Sequence, residues 1–258
     1  MSVEICVLGS GSGGNCTYLG TSKTRVLVDA GFSMKETARR LASINIPLES
    51  IQALVISHEH SDHIHGVETL TKNLGIPVYI APAALDAMRI DATKYPFEFI
   101  RAGTSFTIGE IEVHPFSIPH DSIEPLAFRF DTSGIRTCVV TDLGYIPELV
   151  KQRVAGSHCL IFEANHDLDM LKVGPYPWFV KQRVMSRHGH LSNDATARFF
   201  EEDYDGAAEH VLLAHISQKN NHPDIVRMSI LQAFEKRGLP TRTIQLTSQS
   251  EPSRLIRF

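Results

Sequence analysis

Four histidines and an aspartate crowd into residues 58–65, His58-Glu59-His60-Ser61-Asp62-His63-Ile64-His65, directly after the apolar run Ala53-Leu54-Val55-Ile56. A buried strand that runs straight into such a cluster needs a sharp turn, and the clustered groups need a common partner. Residues two apart at a strand end point the same way, so His58 and His60 can share one metal ion. Asp62 and His63 fall where the chain turns into a helix and can face a second position. Imidazole together with carboxylate suits Zn²⁺, Mn²⁺ or iron better than Ca²⁺ or Mg²⁺. The competing reading is a polar loop that happens to be rich in histidine.

The pattern around this cluster alternates between short β-branched runs and helical stretches. Strands are expected over 3–8, 16–20, 25–29, 53–57, 76–80, 158–163, 210–214 and 242–247, and 97–142 reads mostly as strand. Helices are expected from Met34 to Ile44, with Ser33 and Glu36 as a capping box, and from near Asp62 to Leu74, with Gly75 as its stop. Others are expected over 82–90, 146–153, 192–204 (beginning at Ser192 or Asn193) and 223–237, while 167–188 reads as irregular or short helices. Both halves mix the two kinds of element and no linker divides them. The expectation is one α+β domain over 1–258, with mixed sheets covered by helices.

Composition narrows the classes. Of 258 residues, 43% are apolar and the formal net charge is −4, which excludes a disordered chain and a basic coat for nucleic acid. No apolar run reaches the roughly 18 residues of a membrane span. The start Met1-Ser2-Val3-Glu4-Ile5 lacks the basic opening of a secretory signal. A cytoplasmic protein without a membrane partner is expected. The four cysteines, Cys6, Cys16, Cys138 and Cys159, form no C-x-x-C pair and read as small buried hydrophobes.

Gly9-Ser10-Gly11-Ser12-Gly13-Gly14 fits the dinucleotide pattern G-x-G-x-x-G, and Asp29 stands 20 residues after Gly9. That mechanism needs a helix opening at the third glycine. Residues 15–24 are too short and too rich in Thr, Ser and Gly to supply one before the next strand. The glycine loop is expected instead to bring backbone close to a ligand or a neighbouring strand.

The sequence His58-x-His60-x-Asp62-His63 after an apolar strand resembles the signature of the metallo-β-lactamase superfamily, and the resemblance extends over nearly the whole chain. Asp29 in Leu27-Val28-Asp29-Ala30-Gly31 matches the aspartate that orients the metal loop from behind its ligands. His120, Asp142 and His215, each at or beyond a strand-like run, match the remaining ligand positions. The resemblance implies a four-layer αββα sandwich and two divalent metal ions, zinc or manganese. One ion would lie on His58, His60 and His120, the other on Asp62, His63 and His215, with Asp142 bridging.

The superfamily hosts several chemistries, so the fold alone leaves the substrate open. Phe162-Glu163-Ala164-Asn165 and Gly189-His190-Leu191-Ser192 resemble the paired motifs of tRNase Z-type nucleases, where Glu orients a His that protonates the leaving oxygen. Asn165 departs from that family's Thr, which puts tRNA processing in doubt. The stretches from Ser10 to Asn15, Leu27 to Ser33, Ser57 to Gly66 and Glu163 to Asp167 together resemble the YycJ/WalJ group, described as 5′–3′ DNA exonucleases. Residues 143–189 are too few for the second nuclease domain of larger RNA-processing relatives.

The resemblance thus implies a phosphodiesterase acting on DNA, with hydroxide shared between two metals as nucleophile. Asp62, Glu163 and His190 are its catalytic candidates. Ser12, Asn15, His166 and Ser192 are candidate substrate contacts. Lys172, Lys181, Arg183 and Arg187, interleaved with Trp178 and Phe179, read either as a nucleic-acid patch or as an ordinary solvated face. The alternatives are a hydrolase of a small cyclic phosphodiester or ester, and a metal-stabilised module without activity.

Overall fold

Short strands set the architecture, and those over Glu4–Gly9, Cys16–Gly20, Arg25–Val28, Ala53–Val55, Cys159–Glu163 and His210–Ala214 are almost wholly buried, as expected where both faces of a sheet are covered. The computed structural model describes residues 2–88 and 90–258. The chain divides into two units, the first formed by Met1–Ser117, Ser122–Ile135 and Ser248–Phe258, the second by Ile118–Asp121 and Arg136–Thr247.

In the first unit, β1 (Glu4–Gly9), β2 (Cys16–Gly20) and β3 (Arg25–Val28) pair antiparallel. Helix α1 (Met34–Ser43) then leads to β4 (Ala53–Val55), which lies parallel to β3 with Val28 opposite Val55. Helices α2 (Ser61–Ile64) and α3 (Val67–Leu74), strand β5 (Val78–Ile80), helix α4 (Pro82–Met88) and strand β6 (Phe97–Phe99) follow. β5 and β6 extend the parallel part. The final strand of the chain, β14 (Ile256–Arg257), pairs with β1 and makes this a mixed sheet of order β14-β1-β2-β3-β4-β5-β6. Strands β7 (Phe106–Ile108), β8 (Ile111–Ser117) and β9 (Leu126–Thr132) add an antiparallel meander.

Two local expectations change here. Ser33 Oγ accepts from Glu36 N at 3.3 Å, but the Glu36 carboxylate turns to Arg39 and Arg40 instead of closing the capping box. Arg40 is buried, and its Nη1 ties α1 to the backbone oxygens of Leu8 and Gln249 at 2.7 and 3.0 Å. The single helix expected from Asp62 to Leu74 is two, α2 and α3. It breaks at Gly66, whose N–H donates to Ala30 O at 2.7 Å and whose missing side chain leaves room for Phe32 O. Within the helix expected over 82–90, α4 is described over Pro82–Met88, and residue 89 lies outside the described residues.

The second unit carries four parallel strands, β10 (Ile135–Val140), β11 (Cys159–Glu163), β12 (His210–Ala214) and β13 (Ile244–Leu246), in the order β13-β12-β11-β10. Between them run α5 (Glu148–Val154), α6 (Leu168–Val173), α7 (Trp178–Val184), α8 (Asn193–Glu202) and α9 (Pro223–Arg237). Phe162 of β11 stacks on Phe199 of α8 at 4.8 Å between ring centroids, and Phe200 meets Phe234 of α9 at 5.2 Å. Ser192 caps α8 and His222 caps α9. The register places Val140 opposite Phe162 and Glu163 opposite Ala214, so the carboxyl ends of β10, β11 and β12 form one rim. Ligand sites of open parallel sheets lie at such rims.

No dinucleotide helix follows the glycine loop, because β2 begins at Cys16. The α+β class with mixed sheets and flanking helices is the observed one. Gly31 marks the tightest approach, since a Cβ there would overlap Asp62 O and Asn15 N. We expect Gly31→Ala to cost about 3 kcal/mol in urea unfolding through overpacking. Gly75→Ala, left-handed at φ 66° with nothing near its Cβ, should cost only about 1 kcal/mol. Equal losses would refute the close-approach account.

Candidate metal centre

In the first unit the site begins at a strained backbone. Asp29, just past β3, has φ 62°, a left-handed conformation uncommon outside glycine. This turn aims its carboxylate across to the end of the neighbouring β4. Asp29 Oδ1 accepts Ser57 N at 2.8 Å, and Oδ2 accepts Ser57 Oγ at 3.0 Å. Oδ2 also lies 2.8 Å from His63 Nδ1. The buried carboxylate needs a donor, so Nδ1 carries the proton and Nε2 keeps its lone pair, the tautomer a metal ligand requires. The rings of His58 and His60 lie 4.7 Å apart, those of His58 and His63 4.1 Å. Asp62 Oδ2 stands 3.5 Å from His63 Nε2. The expected quartet of His58, His60, Asp62 and His63 is therefore one cluster, with Asp29 behind it.

In the second unit the rim carries the other set. Asp142 (φ 64°) follows β10 and His215 (φ 55°) follows β12, again left-handed. Glu163 ends β11 and is wholly buried at 0% exposure. Its Oε1 lies 2.8 Å from His190 Nδ1 and 3.2 Å from His215 Nδ1. Its Oε2 accepts the backbone N–H groups of Leu143 and Leu191, both at 3.1 Å. One carboxylate thus fixes the residues that adjoin Asp142 and His190 and the His190 ring itself. His215 Nδ1 lies 2.9 Å from Asp142 Oδ1. His120 Nδ1 faces Gly189 O at 3.2 Å, which makes that nitrogen the donor and leaves Nε2, 3.9 Å from Asp142 Oδ1, as the candidate ligand atom. Asp142, Glu163, His190 and His215 offer ligand atoms within 4.8 Å of one another.

The charges here suit a cation. Burial raises the Glu163 pKa, but the charges and hydrogen bonds of His190 and His215 outweigh it and hold the group below the usual carboxylate range. Burial lowers His215, yet Asp142 and Glu163 overcome that and lift it above the ordinary imidazole value. Two buried carboxylates thus draw positive charge to the rim. A divalent ion would supply it and leave the imidazoles neutral. The donor set of both units, imidazole and carboxylate without thiolate, fits a borderline metal. The four cysteines are all buried, as expected.

The remaining expected residues lie as follows. Ser12 is exposed at the tip of the glycine loop. Asn15 is buried, and its amide lies 3.1 Å from Asp62 Oδ2 and 3.0 Å from His63 Nε2. Ser192 Oγ is engaged as the cap of α8. His166 is 2% exposed, bridged to Ser192 through the backbone, and burial pushes its pKa down to about 4. The expected basic patch is largely committed elsewhere: Lys172 pairs with Asp169, Lys181 Nζ donates to Lys172 O, Arg183 pairs with Asp121, and Arg187 covers Tyr145. Trp178 and Phe179 remain 61% and 71% exposed.

Sequence reasoning had no role for Ser57, whose position between strand and His58 was the available signal. Asn165 Nδ2 donates to His215 O at 2.8 Å and so steadies that left-handed turn. Its partner Asn221, bonded to Ala164 O and Asn165 O at 3.1 and 3.0 Å, carried no local signal at all.

A family model described as the β-lactamase superfamily domain matches residues 24–216. The chain belongs to the metallo-β-lactamase superfamily. Within it the chain falls in the YycJ/WalJ group. It is 34% identical over 241 residues to "Exodeoxyribonuclease YycJ" of Bacillus anthracis, covering 92% of this chain and 91% of that one. It is 35% identical to "Exodeoxyribonuclease WalJ" of Streptococcus pneumoniae, covering 90% and 88%. Among solved structures, the metallo-β-lactamase fold protein YhfI of Bacillus subtilis superposes with a TM-score of 0.77 at 18% identity, over 100% of this chain and 99% of that one. That likeness speaks to the superfamily fold alone.

A buried neutral histidine makes a pH prediction. The folded pKa of His166 is depressed to about 4 from 6.5, so the unfolded chain binds the proton first. Its contribution is present above pH 6.5 and is lost as pH falls towards 4, by roughly 3 kcal/mol at most. In urea unfolding at pH 7 and pH 4.5, wild type should therefore lose more stability than His166→Asn. Parallel losses would show that His166 is not held neutral by burial.

Proposed function

We propose that this chain is a divalent-metal-dependent phosphodiesterase that degrades DNA from the 5′ end. The observation that carries this reading is the Glu163–His190 pair, 2.8 Å apart beside Asp142 and His215. The names of the curated relatives, at about a third identity over nine-tenths of the chain, support DNA as the substrate. Among the described residues no helix is long and apolar enough to cross a membrane. In this reading His58, His60, Asp62, His63, His120, Asp142 and His215 hold the ions, two in number and zinc or manganese.

Ions held by such ligands lower the pKa of water and neutralise charge on phosphoryl oxygens. The chain's own residues do the rest. Glu163 accepts a hydrogen bond from His190 Nδ1, which fixes the ring. His190, whose side chain is 21% exposed, then presents Nε2 to the substrate and protonates the departing oxygen. Asp142 lies 3.8 Å from His190 Nδ1. Ser12, at the exposed loop tip, and Ser192 are substrate contacts in this reading. His166, packed away from solvent, serves it only by supporting the chain around Glu163.

One observation favours a second reading, hydrolysis of a small phosphodiester or ester. The cations between 172 and 187 are already engaged within the chain, which leaves few for a polymer's phosphates. The test uses metal-stripped full-length chain, Mn²⁺ or Zn²⁺, and 5′-phosphorylated single-stranded DNA, duplex DNA, RNA and a cyclic nucleotide. Stepwise mononucleotide release from DNA is expected. His190→Ala should lower kcat by about 10²- to 10⁴-fold with the metal content intact. Loss of metal with His190→Ala would make that residue a ligand. Turnover of the small ester alone would replace DNA by the second reading.

A further inference from the structure

The glycine loop ends in a side chain that the proposed reaction does not use. The Asn15 carboxamide is buried, and its orientation is fixed by chemistry. Its Oδ1 accepts Gly11 N, which can only donate, and Ser10 Oγ, both at 2.9 Å. Its Nδ2 therefore points the other way, to Gly11 O at 3.1 Å, Asp62 Oδ2 at 3.1 Å and His63 Nε2 at 3.0 Å. All three are acceptors, since Asp29 takes the Nδ1 proton of His63. An amide has two hydrogens for these three acceptors. The loop holding it is pinned as well: Asn15 N donates to Asp62 O at 2.8 Å and Gly31 N to Asn15 O at 2.9 Å.

A lone pair on His63 Nε2 serves either the amide or a metal ion. If an ion takes it, Gly11 O and Asp62 Oδ2 remain, two acceptors for two hydrogens, and no buried polar group is orphaned. We infer that Asn15 is a positioning residue that stands in for the cation at Asp62 and His63, so that this metal position fills and empties without loss of the fold. The inference rests on the reading of Asp62 and His63 as metal ligands. It makes their position the exchangeable one, because competition with the amide weakens binding there.

Removing the amide separates this from a purely structural role. In Asn15→Ala, His63 Nε2 misses the amide hydrogen only when no ion is present, whereas Gly11, Ser10 and Asp62 lose their bonds to the carboxamide in both states. In Asn15→Asp, a carboxylate meets acceptors that a divalent ion alone can reconcile. Melting of the full chain, metal-stripped and then with excess Zn²⁺, is the measurement. Both variants should melt lower than wild type when stripped, and the difference should be measurably smaller with Zn²⁺. Asn15→Asp should also bind the weaker of its zinc ions at least tenfold more tightly in chelator competition.

In ¹⁵N-labelled wild type, the Asn15 side-chain amide signals should shift in step with filling of the weaker position. Equal loss of melting temperature with and without Zn²⁺ would mean that Asn15 merely anchors its loop, and amide signals indifferent to zinc would overturn the inference without recourse to variants. Failure of wild type to bind zinc at all would instead remove the ligand reading beneath it.

Discussion

A carboxylate taken out of water must be met by hydrogen-bond donors, and in each unit one such carboxylate arranges what surrounds it. Asp29 collects Ser57 N, Ser57 Oγ and His63 Nδ1, which closes the turn after β4 and sets the His63 tautomer. Glu163 collects Leu143 N and Leu191 N and contacts the rings of His190 and His215. Neither group could be left half satisfied, so each dictates the conformation of chain segments far from it in sequence. The rings of His63, His120 and His190 are oriented before any ion arrives, because Nδ1 of each is already committed.

The sequence was most legible where local rules act alone. Helix α9 occupies the expected 223–237, because Pro223 at its first turn, His222 as cap and the left-handed Gly238 all agree. The parallel strands β10 to β12 read as apolar runs, and each is followed or closed by a polar residue of the site. Legibility failed where a distant segment intervened. The periodicity of 62–74 is helical throughout, yet the backbone between Ala30 and Phe32 enters at Gly66 and divides it. β14 has two residues and exists only through its pairing with β1, so nothing local announces it.

The site shows the same division. The histidine cluster and the glutamate–histidine pair stand out as residue types, whereas their supports do not. Asn221 is one asparagine beside another at 220, and only the fold brings it to the oxygens of Ala164 and Asn165. Gly189 supplies a carbonyl to His120 that no side-chain pattern records. Cations that looked available for phosphate in the linear chain prove to be spent on neighbours, which periodicity cannot foresee.

Asp29, Asp142 and His215 share a backbone setting that glycine would adopt without strain, at a cost of about 1–2 kcal/mol each for the residues present. At Asp142 and His215 selection for folding and selection for the site therefore pull in opposite directions, whereas at Asp29 a glycine would strand the donors of Ser57 and His63 and forfeit more than the backbone gains. A stability screen blind to activity would drift towards glycine at the first two alone, and the sturdier chains it recovered would be those that had discarded a carboxylate or an imidazole.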